Sequence, residues 1–517
     1  MEFLRAKQNR NESLVLGVLL FDDHAQLDVY GPLELLTAAN VFRKNAITLK
    51  TIGVVSSSSS RPAAVGPTPF THVDVTLEGL LLQREQDSTT TIDLLIVPGG
   101  PGVSMIPHHK QRKVRALIER CCCEGVCIVM GQGLSLLGEE SSEKKDMTMT
   151  SFLTAGGGVM APWKVLQQDA TTTTTRRPSS LIYYAPGVSA GIECIYHTII
   201  GPLFGPKVQR QLSTVAEYEP LLSTEPGGGA SPATLLDRFT CRHHNITHHH
   251  SSTKPLSIAF VLYDSFEMMD TFGPMEMFLT ANRLLGGDAI TITTMAEKRV
   301  VQSALGPQFT VDRTFDDVTD DDDDPPHDLL VLPGGVGCLR EIHNPILHTV
   351  LRNHLQHSSS SSHTTRILTI CSGANILAAT GVLDGQRATG NKLAFRLLAA
   401  FRPQVQWVEA ARWVVSDDDH ARIVTSSGVS AGTDAALAVL EMLLPEHEHV
   451  ADHVAQAVGY VRNRAAHHDA FCDTIPPNTI WIRCGAWIQT TLLAILYRCG
   501  LACGFPMYRL APLLAGA

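Results

Sequence analysis

The apolar run Ile367 to Ile370 ends abruptly at Cys371-Ser372-Gly373, and Ala374 to Thr380 continues with helix-forming residues. A nucleophile on so sharp a strand-to-helix turn projects out of a sheet, and the small residues after it let the chain turn tightly. The partial positive charge at the start of the following helix favours the thiolate, which is the reactive form of cysteine. Taken alone, Cys371 fits a buried structural thiol equally well, because free cysteine is among the most buried residue types. Its company argues for chemistry. Gly334-Gly335 follow the strand-like DLLVLP and offer backbone N–H groups at a neighbouring carboxyl end of the sheet, where ligands sit and a developing negative charge can be stabilised. Asp270 and Glu276 flank Gly273-Pro274 just after the first strand of the same stretch. A proline in the first turn of a helix would put both carboxyls near its start. A carboxyl buried there beside a thiol would have a raised pKa and could move a proton; ordinary capping by Asp270 and a solvated Glu276 is the alternative. No histidine adjoins Cys371, since Ser372 holds that position, so a Cys-His dyad would need a ring brought from elsewhere.

The elements that must position these residues occur twice. LVLGVLLFDDHAQLDVYGPLELL from Leu14 returns as LSIAFVLYDSFEMMDTFGPMEMF from Leu256, so that Asp28, Gly31, Pro32 and Glu34 match Asp270, Gly273, Pro274 and Glu276. DLLIVPGG ending at Gly100 returns as DLLVLPGG ending at Gly335, and GVSAG at Gly187 to Gly191 returns at Gly428 to Gly432. Ordered agreement at shifts of 235 (335 − 100) to 242 (270 − 28) residues is too long a period for a solenoid and indicates duplication of a whole domain. Within each copy, uninterrupted apolar runs alternate with helical stretches such as MEMFLTANRLL and AALAVLEMLL. That pattern predicts an α/β fold, two tandem doubly wound parallel sheets covered on both faces. The expected layout is a first domain over 14–224, a linker over 225–254, a second domain over 255–475 and an apolar tail over 476–517. The patches Ser56 to Ser60, Thr171 to Thr175, Asp320 to Asp324 and Ser358 to Ser362 read as expanded surface loops.

Composition narrows the function. With 517 residues, 44% hydrophobic and 18% charged, each copy can bury its own core, and a net charge of -10 provides no basic field, so nucleic acid is not an expected partner. The twelve cysteines have no regular spacing, which points to a reducing, cytoplasmic setting rather than a disulfide framework. The N-terminus lacks the pattern of a signal peptide. Arg483, Gln489 and Arg498 interrupt the apolar tail, so a docked tail is expected in place of a membrane anchor. No cofactor or metal is expected: the tract CRHHNITHHH lies in the linker without paired ligand spacing, and CCCEGVC at Cys121 to Cys127 leads into a strand.

The motifs MMDTFGPMEMF, DLLVLPGG, ICSGANILAATGVLDGQRATGNK and ARWVVSDDDHARIVTSSGVSAGTDAAL together resemble the ThiJ/PfpI superfamily, related in fold to class I glutamine amidotransferases. The resemblance covers about Leu256 to Phe471 and is nearest to the isonitrile hydratase branch. It implies that Cys371 attacks the terminal carbon of an isonitrile, that Asp270 manages the proton and activates water, and that an N-substituted formamide leaves. Glu276 would be a second acidic residue, Ser372 the small hydroxyl residue after the nucleophile, and Gly334, Gly335 and Gly373 the oxyanion or substrate-binding set. Asn391-Lys392 depart from a His-Trp often found after Ala-Thr in related sequences, which implies a different pocket wall. Protease and glyoxalase members usually carry Cys-His at the elbow, which Cys371-Ser372 lacks. Helix-turn-helix fusions need more chain than follows Phe471.

In the first copy Gly131 stands where Cys371 stands and Gln132 where Ser372 stands, and Cys127 falls inside the predicted strand. GEESSEKKDM replaces TGVLDGQRATGNK, although Asp28 and Glu34 remain. The expectation is a degenerate domain that stabilises its partner in an intramolecular pseudo-dimer, with a homodimer of chains as a further assembly. For the second copy the expected ligand is a small molecule. Besides a hydratase, the residues leave open a redox-sensing or stress-protective protein in which Cys371 is oxidised, and a non-catalytic binding scaffold.

Overall fold

A computed structural model describes residues 2–43, 46–54, 64–65, 70–86, 91–137, 154–155, 159–160, 164–166, 181–215, 218 and 220 of the first half, and 254–317, 326–357, 364–416, 422–447 and 449–474 of the second. The expected linker up to 253, the tail over 476–517 and the low-complexity patches lie outside the described residues. The chain forms two compact units, each α/β.

The first unit holds parallel strands β1 (Leu14–Leu20), β2 (Ile47–Gly53), β3 (Leu94–Val97), β4 (Val126–Met130) and β5 (Leu181–Ala185). They lie in the order β5-β4-β3-β1-β2, with Lys164–Leu166 antiparallel at one edge and Val75–Thr76 parallel at the other. The second unit repeats this order with β6 (Leu256–Val261), β7 (Ile290–Ala296), β8 (Leu329–Leu332), β9 (Arg366–Ile370) and β10 (Ile423–Ser426), arranged β10-β9-β8-β6-β7 between the antiparallel edge Trp413–Val415 and the parallel edge Arg313–Thr314. β3, β4 and β8 are buried at every position, as expected of strands covered on both faces. In the second unit the chain first steps from β6 to β7 and later crosses back to β8 on the other side of β6. The carboxyl ends of β6 and β8 therefore flank the switch point where α/β sheets take their ligands.

Helices α1 (Gln26–Phe42) and α2 (Val188–Ile195) serve the first unit, and α3 (Met268–Leu284), α4 (Gly373–Ala379) and α5 (Val429–Leu443) the second. An additional helix, Glu2–Asn9, precedes β1; its Leu4 is buried and Lys7 Nζ lies 2.6 Å from Asp93. α3 is buried from Met268 to Phe278 because it packs both on the sheet and on α5, so its apolar residues encircle it without forming a single stripe. This corrects the expectation for Pro274. The helix begins at Met268, six residues before the proline, and Pro274 lies within it, as Pro32 lies within α1. A proline there donates no N–H to the carbonyl four residues earlier, which is that of Asp270. Asp270 is thus in the first turn, whereas Glu276 is well inside the helix.

At the foot of α5, Arg412 and Asp434 form a buried ion pair at 2.6 Å, and Asp434 also accepts the Asn463 N–H at 2.9 Å. Among the described residues no helix is long and apolar enough to cross a membrane, and no group of three or more His, Cys, Asp or Glu side chains is placed to hold a metal. Among the described residues, Cys121, Cys127, Cys194, Cys338, Cys371 and Cys472 are in no disulfide. The His-rich tract lies outside the described residues.

Candidate functional site

β9 delivers Cys371 to the carboxyl edge of the second sheet, where its backbone takes φ +57°. This left-handed conformation costs a residue with a Cβ roughly 1–2 kcal/mol. The neighbours hold it: the Cys371 N–H donates to Ser426 O at 3.1 Å, and α4 starts at Gly373. A Cβ on Gly373 would meet Leu332 O at 2.5 Å and Pro333 O at 2.8 Å, so only glycine lets the elbow pack on the turn after β8. The strand-turn-helix read from the sequence is present, and Cys371 is 9% exposed.

Asp270 is fully buried, and its Oδ2 accepts the Gly334 N–H at 3.0 Å. Gly334 is the point where the parts meet. A Cβ there would lie 2.6 Å from Cys371 Cβ, 2.7 Å from Ser372 N and 2.9 Å from Asp270 Oδ2. Asp270 and Cys371 therefore stand on the same edge of the sheet, either side of one glycine. Glu276, six residues on and about 240° around the helix from Asp270, is buried and accepts hydrogen bonds from Thr280 Oγ1 at 3.1 Å and Arg283 at 2.7 Å. Asp270, not Glu276, is the carboxyl tied to the elbow through Gly334.

The roles expected of the glycine N–H groups need correction. The Gly334 N–H is engaged by Asp270, and the Gly335 N–H donates to Ser372 Oγ at 3.0 Å, while that hydroxyl reaches Gly335 O at 3.1 Å. These donors hold the machinery together and are not aimed at an oxyanion, because polar side chains near enough to satisfy them occupy their direction. Gly335 itself, at φ +126°, runs against Ser265 and Glu267, where a Cβ would come within 2.4 Å of backbone. Ser372 also acts on the thiol of Cys338, a buried residue with no local signal in the sequence. Burial pushes that thiol up to about 12, against the opposing effect of Ser372, and Glu341 adds to the rise. Tyr263 is raised well above its ordinary value, mainly by burial and then by Cys338, Glu341, Asp270 and Cys371; its hydroxyl donates to Pro333 O at 2.8 Å.

One contact at the Cys371 sulfur has no local signature in the chain. Asn391 Nδ2 donates to Cys371 Sγ at 3.2 Å. The only signal for it in the sequence is the departure from His-Trp at Asn391-Lys392. The neighbouring Lys392 is fully buried, with Nζ 2.7 Å from both Thr389 Oγ1 and Ala411 O and 5.1 Å from the centre of the Phe395 ring, so the 389–392 segment is pinned to Ala411. A cavity of about 360 Å³ lies at the carboxyl ends of β6 and β7, lined in part by Tyr263, Asp264, Lys298, Arg340 and Glu341. Tyr263 is the wall it shares with the surroundings of the elbow. The arrangement can hold a thiol, a buried carboxyl and an amide donor around one point, which suits covalent addition of sulfur to a small electrophile.

Residues 256–442 match the DJ-1/PfpI family. Among curated proteins, the chain is 26% identical over 194 residues to an isonitrile hydratase of Pseudomonas putida, covering 37% of this chain and 72% of that protein. It is 29% identical over 185 residues to the HTH-type transcriptional regulator GbdR of Pseudomonas aeruginosa, covering 35% of this chain but 45% of the regulator. Similar solved structures include a ThiJ/PfpI family protein from Pseudomonas syringae, 23% identical with a TM-score of 0.32, covering 52% of this chain and 99% of that one. Another is Drosophila melanogaster DJ-1beta, 22% identical with a TM-score of 0.31, covering 40% of this chain and 98% of that one.

Proposed function

With residues 256–442 belonging to the DJ-1/PfpI family, we propose that the second unit is a cysteine-dependent hydratase of small molecules, adding water to the terminal carbon of an isonitrile. The observation that carries this reading is the pairing of Cys371, held at φ +57°, with the buried Asp270 across Gly334. The likeness to an isonitrile hydratase adds weight.

The reaction balances on these groups. The Cys371 thiolate attacks the terminal carbon, forming the S–C bond, while the protonated Asp270 gives that carbon its proton; the product is a thioformimidate on the enzyme. Asp270, now a carboxylate, takes a proton from water as the hydroxide adds to the same carbon, and passes that proton to nitrogen. Collapse of the tetrahedral adduct forms C=O, breaks C–S and returns the hydroxyl proton to Asp270, releasing the N-substituted formamide and the thiolate. Nothing is oxidised or reduced. The first step needs Asp270 as the acid and the second needs it as the base, and its place across Gly334 from Cys371 suits both. Ser372 and Gly335 fix the elbow, and Gly373 allows it. The setting we assign is cytoplasmic.

The test is formamide production from a panel of alkyl and aryl isonitriles by the full chain. Turnover that disappears in both Cys371→Ala and Asp270→Asn is the expected result. No turnover by the wild type on any member of the panel, with Cys371 readily oxidised by dilute peroxide, would replace this reading by that of a redox sensor.

A further inference from the structure

We infer that Asn391 is the residue that stabilises the Cys371 thiolate, by an amide N–H that can support negative sulfur but can neither donate nor accept a proton in the reaction. The inference extends the hydratase reading, because it assigns the sulfur its partner, but its test needs no substrate.

The orientation of the amide follows from its other end. Asn391 Oδ1 accepts the Ala394 N–H at 3.0 Å. A backbone N–H needs an acceptor, so the oxygen must face Ala394 and the NH2 must face Cys371 Sγ, 3.2 Å away. A donor to sulfur binds the thiolate more strongly than the thiol, as charge-assisted hydrogen bonds are the stronger ones. Lys392, bonded to Thr389 and Ala411, fixes the segment that carries Asn391 and so prevents the amide from swinging away.

An amide in this place has a chemical consequence. It has no titration of its own near neutrality, so proton movement at the site falls to Asp270. The titratable groups around the thiol are Asp270 on α3, Tyr263 after β6, Cys338 in the segment Cys338–Glu341, and Lys392 beside Asn391. Cys338 and Tyr263 are both raised by burial and stay protonated at neutral pH. The pH dependence of Cys371 alkylation in the full chain should therefore follow the sulfur itself, modulated by Asp270 and Lys392.

The decisive variant is Asn391→Asp. It keeps an oxygen for the Ala394 N–H, so the local fold is retained, while it replaces the donor to sulfur with a negative charge. We expect the apparent pKa of Cys371, read from the pH dependence of iodoacetamide labelling of its peptide by mass spectrometry, to rise by about one to two units, with labelling at pH 7 slowed about tenfold or more. Asn391→His, which offers a ring N–H, should recover part of the rate and add a second inflection near the ordinary histidine range. A wild-type labelling profile in Asn391→Asp, with its melting temperature unchanged, would overturn the assignment. Loss of formamide turnover in the wild type would sink the hydratase reading alone and leave this result standing.

Discussion

Each unit puts the same elbow on its own sheet, and only one carries sulfur. Gly131 takes φ +47° where Cys371 takes φ +57°, Gly100 takes φ +117° where Gly335 takes +126°, and the Gly99 N–H donates to Asp28 Oδ2 at 2.9 Å where the Gly334 N–H donates to Asp270. A Cβ on Gly133 would meet Pro98 O at 2.6 Å, as one on Gly373 would meet the turn after β8. The scaffold of the elbow is thus independent of the residue it presents. In the second unit the strain of a non-glycine residue at positive φ persists, and strain of that kind, kept where glycine would relieve it, is characteristic of functional sites. In the first unit glycine has relieved it.

The comparison is most easily broken at the nucleophile. Cys371→Ala should lower formamide production about a thousandfold or more, while Cys127→Ala, buried within β4, should leave it unchanged. Turnover surviving in Cys371→Ala would move the chemistry away from the elbow altogether. Next comes the carboxyl. Asp270→Asn should slow turnover by about 10²–10⁴, whereas Asp28→Asn, which alters the matching hydrogen bond of the first unit, should leave kcat/KM unaffected. Equal losses from the two would mean that both carboxyls are structural.

How far the sequence reveals this comparison depends on the kind of interaction. Repeated apolar runs and their alternation with helices make both sheets legible, because burial on both faces leaves a continuous pattern in the chain. The elbow is legible because a strand, a reactive residue and two small ones lie consecutively at Cys371. Pro274 misleads about where α3 begins: tertiary packing on the sheet and on α5 carries the helix through a residue that disfavours its interior. The hydrogen bonds from Gly334 to Asp270 and from Gly335 to Ser372 join residues 64 and 37 positions apart, and no local pattern encodes which acceptor an N–H will find. Asn391 and Cys338 reach the elbow in the same long-range way.

A smaller effect separates the units by pH. His24 in the first unit occupies the position of Phe266 in the second, and both are buried. Phe266 packs edge-on against Phe272 and Phe309. His24 Nδ1 is 2.7 Å from Phe21 O, and burial lowers the ring to about 4 despite that bond and the nearby Asp23. A histidine depressed in the folded state stabilises the fold fully above its unfolded value near 6.5, and that contribution is lost as pH falls toward about 4. Between pH 7 and pH 5 protonation linked to His24 should cost the first unit about 2 kcal/mol, a loss that Phe266 cannot cause in the second, read as amide hydrogen exchange in β1 and β3 that quickens as the pH falls. His24→Phe should remove the difference. Identical acid sensitivity of His24→Phe and wild type would show that other groups control it.

The sharpest use of the comparison has the smallest expected effect, since it asks how much of the site the first unit retains. A Cβ on Gly131 would lie 3.6 Å from Asp28 Oδ2 and 3.8 Å from Gly99 Cα, both ordinary contacts, so Gly131→Cys adds a thiol without a clash. The positive φ costs it roughly 1–2 kcal/mol, a drop in melting temperature of a few degrees for a domain of this size. In a Cys371→Ala background the new thiol should be labelled by iodoacetamide at a measurable rate, because the elbow presents it, yet more slowly than Cys371 in wild type. The sequence of the first copy has no equivalent of the TGVLDGQRATGNK segment that brings Asn391 to the sulfur, so the new thiolate would have the turn and the carboxyl without the counterpart of that segment. Formamide production by that variant at a rate near wild type would show that elbow and carboxylate suffice for turnover. Labelling without turnover would place the difference between the two units in the segment that carries the amide.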